Sequence, residues 1–160
     1  LLHYTNKDIV WDFRKLATRY GILGKVIFSN THLLGEQLNI LYNSMDVHVN
    51  TCSGGSFELS NLEAAACGKA ILCSDIGSFR DIWGNSAEYI SINRTELIPY
   101  LDLEGQLINI NELVQKLNKF YYDRDYLQLK SEQAYQHSTN SKFNWDTVSE
   151  KIAKIIIDIH

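Results

Sequence analysis

The chain has 160 residues, 45% of them apolar and 21% charged, with a formal net charge of −4. This length lies within the ~100–200 residues typical of one domain and is enough to bury a core without a disulfide or metal staple. The composition excludes disorder. The acidic balance argues against a general nucleic-acid or anionic-membrane surface, which would need a basic patch.

Helix and strand signals alternate along the chain. Leu1-Leu2-His3, with Met45 the only methionine, reads as the tail of a buried strand in a longer chain. Ile9, Val10, Phe13, Leu16, Ala17 and Tyr20 recur at helical spacing up to Gly21. Residues 25–29 form a β-branched and aromatic run, a strand, and 37–45 a helix with Leu38, Leu41 and Tyr42 on one face. Residues 46–50 are the next strand, 51–57 a small-residue loop carrying Gly54 and Gly55, and 60–67 a helix stopped by Gly68. A strand over 70–74, a short helix over 79–83 and a final strand over 87–92 follow. This alternation predicts an α/β domain, a Rossmann-like parallel sheet with helices on both faces.

Residues 93–109 hold the only proline, Pro99, and read as the longest irregular stretch. Three helices are predicted beyond it. The first carries Leu113, Val114, Leu117, Phe120 and Tyr121 on one face, with Asn109-x-x-Glu112 as its N-terminal cap. The second runs over 124–137. The terminal helix, in residues 143–160, carries Trp145, Val148, Ile152, Ile155, Ile156 and Ile159 on one stripe.

Cys52, Cys67 and Cys73 form no CxxC pair, which predicts a reducing compartment and no disulfide framework. The histidines are scattered and offer no metal-ligand spacing, so no metal is expected. No apolar run approaches the ~18 residues of a membrane-spanning helix, and no signal-peptide pattern is read. Cytoplasmic residence is expected.

Residues 46–77 carry the chemistry. They read as strand, glycine-bearing loop, helix, glycine and strand. Open α/β sheets bind ligands outside the carboxyl ends of their strands. The helix opening near Ser60 directs free N–H groups and the positive end of its dipole to that edge, which suits a diphosphate. Gly54 and Gly55 let a ligand approach the backbone. Glu63, placed in the first helical turn, offers a carboxylate that accepts two hydrogen bonds from a vicinal diol such as a ribose. Other readings stand beside these. Ser60-Asn61-Leu62-Glu63 also fits a capping box, Gly54-Gly55 a simple turn, and Cys52 and Cys73 small buried fillers. Asp46 and Asp75 fit loop anchors, and Asp81 fits compensation of a helix dipole.

Gly55-Ser56-Phe57-Glu58-Leu59-Ser60-Asn61-Leu62-Glu63-Ala64-Ala65-Ala66-Cys67-Gly68-Lys69-Ala70-Ile71, followed by Ser74-Asp75-Ile76-Gly77, resembles a known signature. That signature is Glu-Gly-Phe-Gly-Leu-Pro-x-Leu-Glu-Ala-Met-Ala-x-Gly-x-Pro-Val, then Ser-Asp-x-Gly. It belongs to the C-terminal, donor-binding domain of nucleotide-sugar-dependent glycosyltransferases of the GT-B fold, especially the retaining enzymes of glycosyltransferase family four. Phe143-Asn144-Trp145 is similar to the family's Phe-x-Trp opening of the terminal helix.

The resemblance implies hexosyl transfer from a nucleoside diphosphate-sugar to a glycan, lipid or protein acceptor held by a separate N-terminal domain, without a metal or other cofactor. Glu63 matches the second Glu of the family's Glu-x7-Glu pair, which binds the donor ribose. Ser60, Asn61 and Leu62 match positions facing the diphosphate, with Gly55, Ser56 and Phe57 in the loop before them. Phe28, Ser29 and Asn30 fall where the family places the base. The first Glu of the pair, which contacts the transferred sugar, falls at Gly55, and Ala70 replaces a proline. Glu58 is the candidate replacement carboxylate and hence the candidate catalytic residue. Two alternatives are a non-catalytic glycosyltransferase-like binding module, which Gly55 favours, and a sugar-nucleotide epimerase of the same fold.

Overall fold

The computed structural model describes residues 2–3, 12–29, 31–55, 57–98 and 103–159. Ile9, Val10, Asn30, Ser56 and Pro99 lie outside the described residues. The chain divides into two compact units, Leu1–Leu41 and Tyr42–His160.

In the first unit, β1 (Leu2–His3) pairs in parallel with β2 (Phe28–Ser29), Leu2 opposite Phe28 and His3 opposite Ser29. Helix α1 (Phe13–Arg19) starts where the Asp12 carboxylate accepts the Lys15 N–H at 3.0 Å. It ends at Gly21, whose φ is +67°. A short 3-10 turn at Leu23–Lys25 takes up the start of the strand expected over 25–29. The Lys25 N–H closes that turn on the Ile22 carbonyl, so only Phe28 and Ser29 remain to pair. The Arg14 guanidinium lies 4.6 Å from the centroid of the Phe28 ring. Helix α2 (Gly35–Asn43) begins two residues before the expected 37 and ends before Met45. Its last two residues, Tyr42 and Asn43, fall in the second unit.

The second unit is built on a parallel sheet of β3 (Val47–Asn50), β4 (Ala70–Ser74) and β5 (Glu88–Ile90), in that order. Val47 stands opposite Ala70, and Leu72 opposite Glu88. Every residue of β4 is buried, as a central strand covered on both faces requires. Helices α3 (Leu59–Ala66), α4 (Phe79–Trp83), α5 (Ile110–Tyr122), α6 (Arg124–Ser138) and α7 (Trp145–Ile159) complete the unit. Ala70, Leu72 and Ile90 of the sheet form one apolar cluster with Phe120 of α5 and Leu127 of α6. Burying a side chain such as Leu72 or Phe120 contributes roughly 1.5–3 kcal/mol each.

The stretch expected to be irregular is a hairpin. Strand β6 (Ile92–Ile98) pairs antiparallel with β7 (Leu103–Ile108), with a register irregularity between Ile92 and Arg94. Asn93, Arg94, Thr95 and Glu96 are exposed, so the strand carries no apolar alternation, and its pairing with β7 supplies the order instead. Asn109 caps α5 as expected, accepting the Glu112 N–H at 3.2 Å. The Glu112 carboxylate does not reach back to Asn109. It accepts from the N–H and hydroxyl of Ser91 and so joins α5 to the end of β5.

The apolar stripe of α7 is not covered by the described residues. Trp145 is 80% exposed, and Ile152, Ile155 and Ile156 are all more than half exposed. No helix is long and apolar enough to cross a membrane among the described residues.

Candidate functional site

The site lies where β3 and β4 end. Asn50, the last residue of β3, organises the loop that follows it. Its Oδ1 accepts the Cys52 N–H at 3.0 Å, and its Nδ2 donates to Asn61 Oδ1 at 3.0 Å on α3. The Ser74 hydroxyl, at the end of β4, donates to the Cys52 carbonyl at 2.9 Å. From the other side, the Gln106 N–H of β7 donates to the Ser53 carbonyl at 2.8 Å. The loop is thus held by two strand ends, one helix and the hairpin.

Two glycines set the loop's close contacts. Gly77 has a φ of +50°, and a Cβ placed on it would stand 2.7 Å from the Gly55 carbonyl oxygen. Gly55 in turn lies beneath the carboxylate of Glu58. A Cβ at position 55 would stand 2.7 Å from Glu58 Oε1 and 3.8 Å from Cys52 Sγ. The Glu58 carboxylate therefore occupies the space into which a residue-55 side chain would grow.

Glu58 is also the N-cap of α3, with an extended backbone and no capping bond from its side chain. The Ser60-x-x-Glu63 capping box does not form. The helix begins at Leu59, so Ser60 is its second residue and Glu63 lies in its second turn. The Glu63 carboxylate instead accepts the Tyr42 hydroxyl at 2.8 Å. The backbone N–H groups of Leu59 and Ser60 stand at the open end of the helix, where no intrahelical partner exists. The Asn61 N–H is turned back to the Glu58 carbonyl at 3.0 Å, and the Asn61 side chain is fully buried against Asn50.

Below this lies His48 of β3, packed edge-on against Tyr42 with ring centroids 6.0 Å apart. Burial holds its imidazole below the usual histidine range, and the neighbouring Asn61 side chain only partly offsets that. Burial also raises the two thiols near the loop, with Glu58 adding to the effect at Cys52. Cys73 is pushed up to about 12 by burial and by Cys52. Both thiols stay protonated at neutral pH, which fits small packing residues and not nucleophiles.

The structure brings Gly55, Glu58, Ser60, Asn61, Leu62 and Glu63 together at the start of α3. Phe57 is exposed and leans toward Phe143, 6.4 Å between ring centroids, in the turn that precedes α7. Phe28 and Ser29 end β2 in the first unit, while Ser56 and Asn30 lie outside the described residues. Sequence reasoning missed three participants: Tyr42 as the partner of Glu63, the Gly77–Gly55 contact, and the hairpin's hold on Ser53. Only Gly77 left a local signal, in the Ser-Asp-x-Gly run.

A second polar cluster lies at the start of β5. Glu88 accepts from Lys116 at 3.1 Å, Lys130 at 3.0 Å and the Tyr126 hydroxyl at 2.5 Å. Glu88, Lys116 and Lys130 line a cavity of about 260 Å³ together with Arg80 and Asp75, which form a two-pronged ion pair at 2.6 Å. No group of three or more His, Cys, Asp and Glu side chains that could hold a metal ion occurs among the described residues.

The family model for glycosyl transferases group 1 matches residues 10–115, which include the whole loop and α3. No curated protein sequence matches the chain. Among solved structures, a sucrose-phosphate synthase from Thermosynechococcus elongatus superimposes with a TM-score of 0.67 at 16% identity. The match covers 92% of this chain and 33% of that one, so the chain spans about a third of its length. At that identity the likeness speaks for the fold alone. The chain belongs to the glycosyl transferases group 1 family and has the parallel α/β fold of a GT-B glycosyltransferase domain.

Proposed function

We propose that this chain is the donor-binding half of a glycosyltransferase and holds a nucleoside diphosphate-sugar at the start of α3. The carrying observation is the pair of carboxylates on that helix: Glu58, whose Oε1 fills the space above Gly55, and Glu63, which remains exposed. The family's ribose-binding role falls to Glu63. The leaving diphosphate meets the N–H groups of Leu59 and Ser60 and the positive end of the helix dipole. That end is placed to stabilise the negative charge that grows as the glycosidic bond breaks. Glu58 takes the part of the carboxylate missing at Gly55, beside the positive charge that develops on the transferred sugar. Transfer is metal-independent and retaining in this reading, in the cytoplasm. The acceptor is a glycan, lipid or protein bound by a further domain.

Thermal unfolding against UDP, GDP, ADP and CMP without metal tests the donor site. One diphosphate at 100 times its Kd should stabilise by ~2.7 kcal/mol, a rise of roughly 5–10 °C. The rise should fall to about half or less in Glu63→Gln and persist in Glu58→Gln, which should lose turnover in the full-length protein. No shift with any nucleotide on the full-length protein sinks the donor-site reading in favour of a non-catalytic module. Undiminished turnover in Glu58→Gln removes Glu58 from the chemistry.

A further inference from the structure

Glu63 is not set by its own helix. Its carboxylate is reached by Tyr42, at the end of α2, and the two residues are far apart in sequence. Tyr42 is 6% exposed, and its ring is wedged edge-on against His48. Burial and the neighbouring Glu63 carboxylate both raise the phenol above its ordinary range, so at neutral pH it keeps its proton and donates it. His48 is itself enclosed next to Asn61, which Asn50 holds from β3. The donor to Glu63 is therefore a fixed hydroxyl on a packed ring, not a surface group free to turn.

We propose that Tyr42 is a positioning residue for Glu63, holding its carboxylate in the one orientation that receives both hydroxyls of a ribose. The proposal rests on the reading of Glu63 as the ribose contact. A glutamate side chain at an exposed helical position visits several rotamers. One hydrogen bond to Oε2 selects among them and leaves lone pairs on both oxygens for the diol. The ordering entropy is then met on folding and not on binding, which tightens the complex without a new ligand contact. The site would prefer ribonucleotides over 2′-deoxyribonucleotides, and part of that preference would depend on a residue that never touches the ligand.

The test is calorimetric titration of the full-length protein with UDP, GDP and ADP and with their 2′-deoxy counterparts. The parent protein should prefer one ribonucleoside diphosphate over its 2′-deoxy form by about tenfold, the value of the single hydrogen bond to a charged group that the missing 2′-hydroxyl would make. Glu63→Gln should abolish the preference. Tyr42→Phe keeps the ring against His48, and it should weaken ribonucleotide binding about fivefold and the deoxy form by much less. Glu63→Asp pulls the carboxylate away from the hydroxyl and should behave alike.

A Tyr42→Phe protein that melts lower but keeps the full ribose preference overturns the proposal, because a merely structural anchor predicts that result. Loss of preference in Glu63→Gln with none in Tyr42→Phe overturns the role of Tyr42 and leaves the donor site standing. An unchanged preference in Glu63→Gln overturns both. So does the absence of binding by any of the nucleotides.

Discussion

Gly77→Ala is expected to destabilise the protein by about 2–3 kcal/mol, although it adds a single methyl group. Two costs coincide at this position. The backbone φ of +50° lies in the left-handed region, where an L side chain costs roughly 1–2 kcal/mol. The added Cβ would also stand 2.7 Å from the carbonyl oxygen of Gly55, a backbone atom with no rotamer by which to withdraw. Relief requires the loop itself to move, and with it the floor beneath Glu58. Urea unfolding should therefore show a lower midpoint with an unchanged slope. Any nucleotide-induced stabilisation should shrink in the same variant. A loss below 0.5 kcal/mol, on the order of an ordinary surface change, would show that Gly77 tolerates a side chain and that the contact does not constrain the loop.

The second large effect is expected at Glu88. Burial pushes its carboxyl up, but hydrogen bonds from Tyr126, Lys130 and Lys116 pull it the other way and prevail, to about 2. The folded value thus lies below the ordinary 4.5. A carboxyl depressed in this way contributes stability that is fully present above its unfolded value and is lost as pH falls through the folded one. The window is therefore from about pH 4.5 down to about 2. Allowing for partial exposure, the contribution is about 2 kcal/mol. Glu88→Gln should remove it at neutral pH and leave Lys116 and Lys130 facing each other without their shared anion. The side chains of these lysines are only 26% and 13% exposed, so the total loss should be about 2–3 kcal/mol.

Unfolding followed from pH 7 to pH 2 should show a shallower acid decline in the variant than in the parent. Some decline will persist, because Glu112 is also held below its ordinary range, chiefly by Ser91. Parallel acid profiles for the two proteins would mean that the Glu88 cluster does not couple to folding.

The strand–loop–helix unit at residues 46–77 was legible because its signals are local. A buried strand such as Ala70–Ser74 is a continuous apolar run, and Gly68, with a φ of +70°, marks the helix end where it stands. The hairpin was not legible. Its outer positions, Asn93 to Glu96, are polar and exposed, and its order comes from pairing with a strand on the far side of residues 99–102. The partner of Glu63 was hidden for a related reason. Tyr42 lies on the helix face that the spacing predicts, yet nothing in a period of 3.6 residues says that its hydroxyl reaches a carboxylate on another helix. The capping box failed because Ser60 and Glu63 have the right spacing, but the chain enters the helix two residues too early for it. The stripe on α7 shows the converse case. Its amphipathic period is plain in the sequence, and the surface that would cover it is not among the described residues.

The bond from Gln106 to Ser53 also bears on the order in which the domain matures. It joins points separated by α3, β4, α4, β5 and β6, so its formation closes a long loop. Contacts of that kind carry the entropic cost of closure before they return any stabilisation, and they form late. During synthesis, β3, α3 and β4 emerge and can pair before the hairpin exists. The glycine loop reaches its final shape only after β7 has left the ribosome. A chain cut short before residue 103 would lack this bond as well as the Phe120 and Leu127 side chains that cover the sheet, so the settled loop and competence to bind would be acquired last.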